Sequence, residues 1–175
     1  MSDFSRLIAK RRSCRRFTEE PIKATDVELI LKAGLLSPSS KNVKPCYFIA
    51  VENKDTLNKL SESKKQGSTF ISRCPLAIVV AADPLASSIW IEDTSIASIM
   101  MQLQAEDLDI GSCWVQIRDR QTATGSSSED YVKVILNIPI QLQVVSIVAF
   151  GHRAEALPPH SETDLNWDKV YIEKF

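Results

Sequence analysis

Histidine is almost missing from this chain of 175 residues: His152 and His160 are the two present, both near the C-terminus. A Ser-His-Asp or Cys-His nucleophile therefore has few candidate bases, and His152, following an apolar run, reads as a turn residue rather than a catalyst. The five glycines form neither GxGxxG after a strand nor GxxxxGK[ST], so neither dinucleotide-fold nor P-loop phosphate binding is supported. Cysteine is sparse and scattered, at Cys14, Cys46, Cys74 and Cys113, with no CxxC pair to bring two thiolates to one metal; no metal site is expected. A signal-peptide core and any stretch of membrane-spanning length are lacking, which predicts a cytoplasmic protein with reduced cysteines and no membrane partner. No repeat, low-complexity tract or flexible linker divides the chain, and residues 1–175 read as a single domain. The net charge of -1 argues against a generally polyanion-seeking protein.

What is present is a basic run, KRRSCRRF from Lys10 to Phe17, set in an alternation of helices and strands. Phe4, Leu7 and Ile8 fall at helical spacing behind a Ser2 or Asp3 cap, predicting a short helix that ends near Arg12. Thr25-Asp26-Val27-Glu28 has the capping-box pattern and opens a largely buried helix through Leu36, closed by Ser37-Pro38. Ser37 to Pro45 is polar and proline-bounded, hence a loop, and Cys46 to Val51 follows as a strand. Further on come a helix over 54–63, a buried strand over 75–83, a long helix over 92–108, a strand over 112–117, a helix over 126–136 and a last strand over 144–151. The tail from His152 to Phe175 carries Trp167, Tyr171 and Phe175 with little periodicity, so it must find an apolar surface on its own domain or on a partner. The order predicts an α+β or α/β sandwich around a central sheet.

The basic run supports three readings. Cations are electrostatically favoured at a helix C-terminus, so the run can be a solvated helix end. It can contact nucleic acid through Arg11 to Arg16, which steep salt dependence would reveal. Or Arg12 and Arg15, with the Ser13 hydroxyl between them, can hold one phosphomonoester, whose oxygens suit the planar guanidinium fork.

RRSCRRF is similar to the RRSxRxF signature that opens the nitroreductase-like flavoproteins, and SPSSKNVKPCYFIAV is similar to their PSxxNxQPWxF loop and strand. DIGSCWVQI resembles their GxGSCW strand after a long helix, and VAFGHRAE with LNWDKVYIEKF resembles the glycine turn and tail of the short members. The four matches occur in order and span almost the entire chain. The resemblance implies a three-layer α/β/α sandwich with a central mixed sheet, and one FMN per active site. It also implies a homodimer with active sites at the subunit interface and a domain-swapped C-terminal tail around the partner. The partners are then a second copy and small molecules, with no nucleic acid, and the anion of the basic run is the FMN phosphate.

By the same resemblance Arg11, Arg12, Ser13 and Arg15 hold the phosphate and ribityl chain, and Arg12 or Arg15 also lies near the pyrimidine edge. Pro38, Ser39 and Ser40 of the other subunit lie against the isoalloxazine ring, Asn42 hydrogen-bonds it, and Gly151 and Arg153 lie by the phosphate. The implied activity is hydride transfer from NADH or NADPH to flavin N5 and on to a small nitroaromatic or quinone-like acceptor by a ping-pong mechanism, with no catalytic side chain required. A flavin- or nucleotide-binding protein without redox turnover is the alternative. The sequence departs from the pattern at Lys44, in place of glutamine, whose cation near the pyrimidine favours the anionic reduced flavin and raises its potential. Cys46 replaces a tryptophan, Gln116-Ile117 stand where many members have small residues, and the tail lacks the Lys/Arg pair that longer members direct at the phosphate.

Overall fold

A wholly apolar strand is stable only if both its faces are covered, and that requirement organises the molecule. The computed structural model describes residues 3–175, with strands β1 (Cys46–Val51), β2 (Leu76–Ala82), β3 (Gly111–Gln116) and β4 (Gln143–Gly151) in one sheet of order β1-β2-β4-β3. Every residue of β2 is buried. Leu76, Ile78 and Val80 enter one core with Ile30, Met101, Ala105, Val148 and Phe150, whereas Ala77, Val79 and Ala81 enter the other with Leu57, Leu60, Ile71, Val132 and Ile147. The period of two along a strand thus feeds two cores. Helices α2 (Ala24–Leu35) and α4 (Trp90–Asp107) cover the first face; α3 (Lys54–Ser61) and α5 (Ser128–Leu136) cover the second. The result is the α+β fold in three layers that was expected.

The sheet itself is not mixed. All three strand pairings are antiparallel, and among the described residues the one parallel contact is the isolated bridge between Ser13 and Ser112. Continuous apolar runs such as β2 arise whenever both faces are covered, whatever the strand direction.

Helix α1 (Asp3–Lys10) packs on α4 and stops short of Arg12, although Arg11 N–H still reaches the Leu7 carbonyl at 3.0 Å. Of the two caps expected for it, Ser2 lies outside the described residues and Asp3 is already helical. The capping box at Thr25 does not form. The N-cap is Lys23, without a side-chain bond, so Thr25 is already the second helical residue. Glu28 is drawn forward to Lys32, 2.7 Å away one turn on, instead of back to the helix start. At α5 the cap is the expected kind: Ser127 Oγ accepts from Asp130 N–H at 3.2 Å.

From Ser161 onward every residue is exposed, including Leu165, Trp167, Val170, Ile172 and Phe175. The tail runs past α1, where His160 N–H donates to the Ala9 carbonyl at 2.8 Å, and from Ser161 on it lies exposed. Among the described residues no helix is long and apolar enough to cross a membrane.

Candidate functional site

β3 is an edge strand, so its outer N–H and C=O groups are available for pairing. The basic run occupies that edge. Cys14 N–H donates to the Ser112 carbonyl at 2.9 Å, and beyond it Thr18 N–H reaches His152 O (2.9 Å) while Ala154 N–H reaches Arg16 O (3.0 Å). Cys14 and Phe17 point inward and are buried, which turns Ser13, Arg15 and Arg16 outward and leaves Arg11 and Arg12 half-buried.

The cations of this region divide into two sets. Lys10 pairs with Asp109 at 2.9 Å, Arg16 with Glu155 at 3.2 Å, and Arg153 with Asp109 at 3.0 Å and with Glu106. Arg12 donates to the Pro158 carbonyl. Arg11 and Arg15 are left with no side-chain partner among the described residues, yet both act on the Cys113 thiol behind them. Burial pushes that thiol up, while Arg15, a hydrogen bond with Ser13 and Arg11 pull the other way. Two unpaired guanidinium groups therefore flank Ser13 on a segment whose backbone is pinned at both ends. Unpaired guanidinium groups on a fixed backbone suit a phosphate.

Arg153 and Gly151 are arranged differently from a free phosphate ligand. The Arg153 guanidinium is held by two carboxylates, and its Cγ lies where a Gly111 Cβ would come within 2.9 Å. At Gly151 an added Cβ would meet Pro75 Cδ at 2.7 Å and Phe17 Cδ1 at 2.9 Å, so the glycine admits the Phe17 ring that anchors the basic run.

The second group of expected residues, Pro38 to Lys44, forms a tight loop before β1. Ser39 Oγ accepts from Lys44 N–H at 2.8 Å, and Asn42 N–H and Val43 N–H close a short 3-10 turn on the carbonyls of Ser39 and Ser40. Lys41, Asn42 and Lys44 all adopt left-handed backbone, with φ of 50, 57 and 52°. Each such non-glycine residue costs on the order of 1 kcal/mol, so the loop needs an external hold. Asp93 provides it. Its buried carboxylate accepts from Ser40 N–H at 3.0 Å and from Ser87 Oγ at 2.8 Å. Pro38, Asn42 and Lys44 are exposed, and Ser39 and Ser40 half-buried.

Within one chain the two groups do not meet. Gly111 pairs with Gly151 and Leu76 with Phe150, which puts Ser13 at one end of the sheet beside β3; Cys46 pairs with Ala82 at the other end, on the opposite edge strand. α4 gives the scale: Asp93 holds the loop, Glu106 holds Arg153, and the thirteen-residue step from one to the other spans roughly 20 Å. Asp93, Glu106 and Asp109 escaped the sequence reading. For the first two a signal exists: four-residue steps along the buried face of α4, through Ala97, Met101 and Ala105, begin at Asp93, and Glu106 adjoins their end. A carboxylate on such a stripe must have a partner. Burial pushes the Glu106 carboxyl up against the opposing pull of Arg153 and Lys10.

Among the described residues no three of His, Cys, Asp or Glu converge as a metal would need.

The Nitroreductase family model matches residues 8–87 and 63–152. A protein of Archaeoglobus fulgidus assigned as an NADH dehydrogenase/NAD(P)H nitroreductase is 33% identical over 180 residues, covering 100% of both chains. A protein of Methanothermobacter thermautotrophicus with the same assignment is 27% identical over 176 residues, 99% of this chain and 88% of that one. The solved structure of an FMN-dependent nitroreductase from Clostridium difficile R20291 superposes with a TM-score of 0.96 at 37% identity, covering 98% of this chain and 99% of that chain.

Proposed function

The chain belongs to the nitroreductase family, and we propose that it is an FMN-dependent oxidoreductase that takes hydride from NADH or NADPH and delivers it to a small electron-poor acceptor, a nitroaromatic or quinone, by a ping-pong mechanism. The observation that carries this reading is the pair of guanidinium groups, Arg11 and Arg15, without a side-chain partner among the described residues, either side of Ser13, when the neighbouring cations Lys10, Arg16 and Arg153 are all tied to carboxylates. That donor set fits the FMN phosphate and the adjoining polar edge of the cofactor. Bound there, FMN would supply the redox chemistry. The chain's own residues bind and orient: Arg11, Ser13 and Arg15 hold the anionic end, with Arg12 beside them. Asn42 presents an amide that offers both donor and acceptor to a ring edge, and Lys44 places a positive charge near it.

We further propose that the active unit is a homodimer in which Pro38 to Lys44 of one copy complete the site begun by Arg11 to Arg15 of the other, each copy being a single flavin-binding domain. The separation of the two groups in one chain supports this reading. So does the uncovered apolar surface: Phe4 and Ile8 on α1, Ile96, Ile99 and Met100 on α4, and the aromatic tail.

The test is the visible absorbance of the purified protein, loaded with FMN and then mixed anaerobically with NADH or NADPH. A flavin spectrum that bleaches supports the reading. A spectrum that stays oxidised with both donors identifies a binding protein without turnover, and a protein that takes up no FMN refutes the assignment of the arginine site.

A further inference from the structure

The turn after α3 and the turn after β3 enclose a cleft of about 890 Å3, lined by Lys64, Lys65, Gln66, Asp119, Arg120, Gln121, Ser127 and Glu129. Its frame is fixed by backbone bonds: Lys65 N–H to Gln121 O (2.9 Å), Arg120 N–H to Ile117 O (3.1 Å) and Ser128 N–H to Arg120 O (2.9 Å). The lining looks nearly balanced in charge, but its two acids are already engaged. Asp119 pairs with Arg118 at 2.6 Å, and Glu129 pairs with Lys133 at 2.8 Å and also accepts from Val144 N–H at 3.1 Å. The three cations have no carboxylate among the described residues; Arg120 donates only to the Asp119 carbonyl at 3.0 Å. Lys64 is held below its ordinary value by burial and by the facing charge of Arg120.

Like charges gathered without a counter-charge are stable when an anion joins them. We propose that this cleft is a phosphomonoester subsite, in which Lys64, Lys65 and Arg120 take a phosphate carried by a substrate. The volume exceeds what one phosphate fills and admits the nucleoside attached to it. Under the proposed function two substrates could bring that group: the reductant, through the 2′-phosphate that distinguishes NADPH from NADH, or a phosphorylated acceptor. Only this choice of source rests on the flavoprotein reading; the subsite itself does not.

The experiment is calorimetric titration of the full chain with adenosine 2′-monophosphate, and with adenosine as control, for the parent and for Lys64→Gln, Lys65→Gln and Arg120→Gln. Lys65 and Arg120 are exposed and Lys64 is half-buried, and thermal melting checks the folding of all three variants. The expected result is that the nucleotide binds at least about tenfold more tightly than adenosine and that losing Lys64 or Arg120 weakens it by about tenfold. If the same variants raise the KM for NADPH relative to that for NADH, the phosphate belongs to the reductant; if that ratio stays fixed while nucleotide binding falls, it belongs to the acceptor. Equal binding of nucleotide and adenosine, or nucleotide binding indifferent to all three substitutions, overturns the subsite. The flavin spectrum of the same samples separates the two ideas: nucleotide binding that depends on Lys64 in a protein that holds no FMN keeps the subsite and removes the flavoprotein reading.

Discussion

Two variants, each unable to hold FMN alone, should restore it when mixed. The first removes the guanidinium groups (Arg11→Ala with Arg15→Ala); the second removes the loop contacts (Asn42→Ala with Lys44→Ala). Each lost charge-assisted contact is worth about 1.5–3 kcal/mol and the neutral Asn42 bond about 0.5–1.5, so either pair of losses weakens FMN binding by a factor on the order of a hundred to a few thousand. If the arginines of one copy and the loop of the other build each site, a twofold dimer with one variant of each kind has one site bearing both defects and one bearing neither. Random pairing makes about half of the dimers mixed, so roughly one quarter of all sites regain parental affinity. Unfolding the two variants together in urea, refolding them and titrating FMN fluorescence measures that fraction; each variant refolded by itself gives the baseline. Flavin retention that stays at the baseline, in a mixture shown by mass spectrometry of tagged chains to contain mixed dimers, refutes the interface site, because it would mean that both halves lie in one chain.

Asp93→Ala leaves Ser40 N–H and Ser87 Oγ without their acceptor and frees a loop with three left-handed residues, so it should cost about 2–4 kcal/mol in urea unfolding and lower FMN affinity without touching the arginines; unchanged FMN affinity would count against the loop's role. Lys44→Gln should lower the flavin reduction potential by on the order of 30 mV, as expected from removing about 1.4 kcal/mol of favourable charge interaction, which a dye-equilibration titration reads. The Asp109 carboxyl lies below its ordinary range, chiefly through the hydrogen bond from Lys10, with Arg153 assisting. A carboxyl lowered on folding stabilises the protein above its unfolded pKa and ceases to do so as pH falls through the folded one. Asp109→Asn should therefore lose stability at neutral pH relative to the parent, with the difference shrinking below about pH 4 in melting curves.

The sequence made the elements legible because their burial is written in their periods. β2 reads as an unbroken apolar run, and α4 shows its long helical repeat. Strand direction is not written there: antiparallel strands covered on both faces carry the same continuous run as parallel ones, and the expected mixed sheet proved antiparallel. The Thr25 box failed because the helix starts earlier, with Lys23 as its N-cap, and Glu28 pairs forward with Lys32. At the site, the run from Lys10 to Phe17 announced its charge, but not which charges were already used. That depends on Asp109, Glu106 and Glu155, all distant in sequence. The left-handed turns at Lys41, Asn42 and Lys44 were equally invisible, for no glycine marks them. They persist because Asp93, about fifty residues on, grips the loop.

α4 has a further consequence in the proposed dimer. Its Asp93 end secures the loop of one active centre and its Glu106 end braces the arginine segment of the other, so each of these helices is a rigid crossbar shared by two centres. A tilt of the crossbar cannot disturb one centre alone. Substitutions on its buried face, at Ala97 or Met101 for instance, should therefore shift flavin affinity at both sites together, though neither residue lies beside either one.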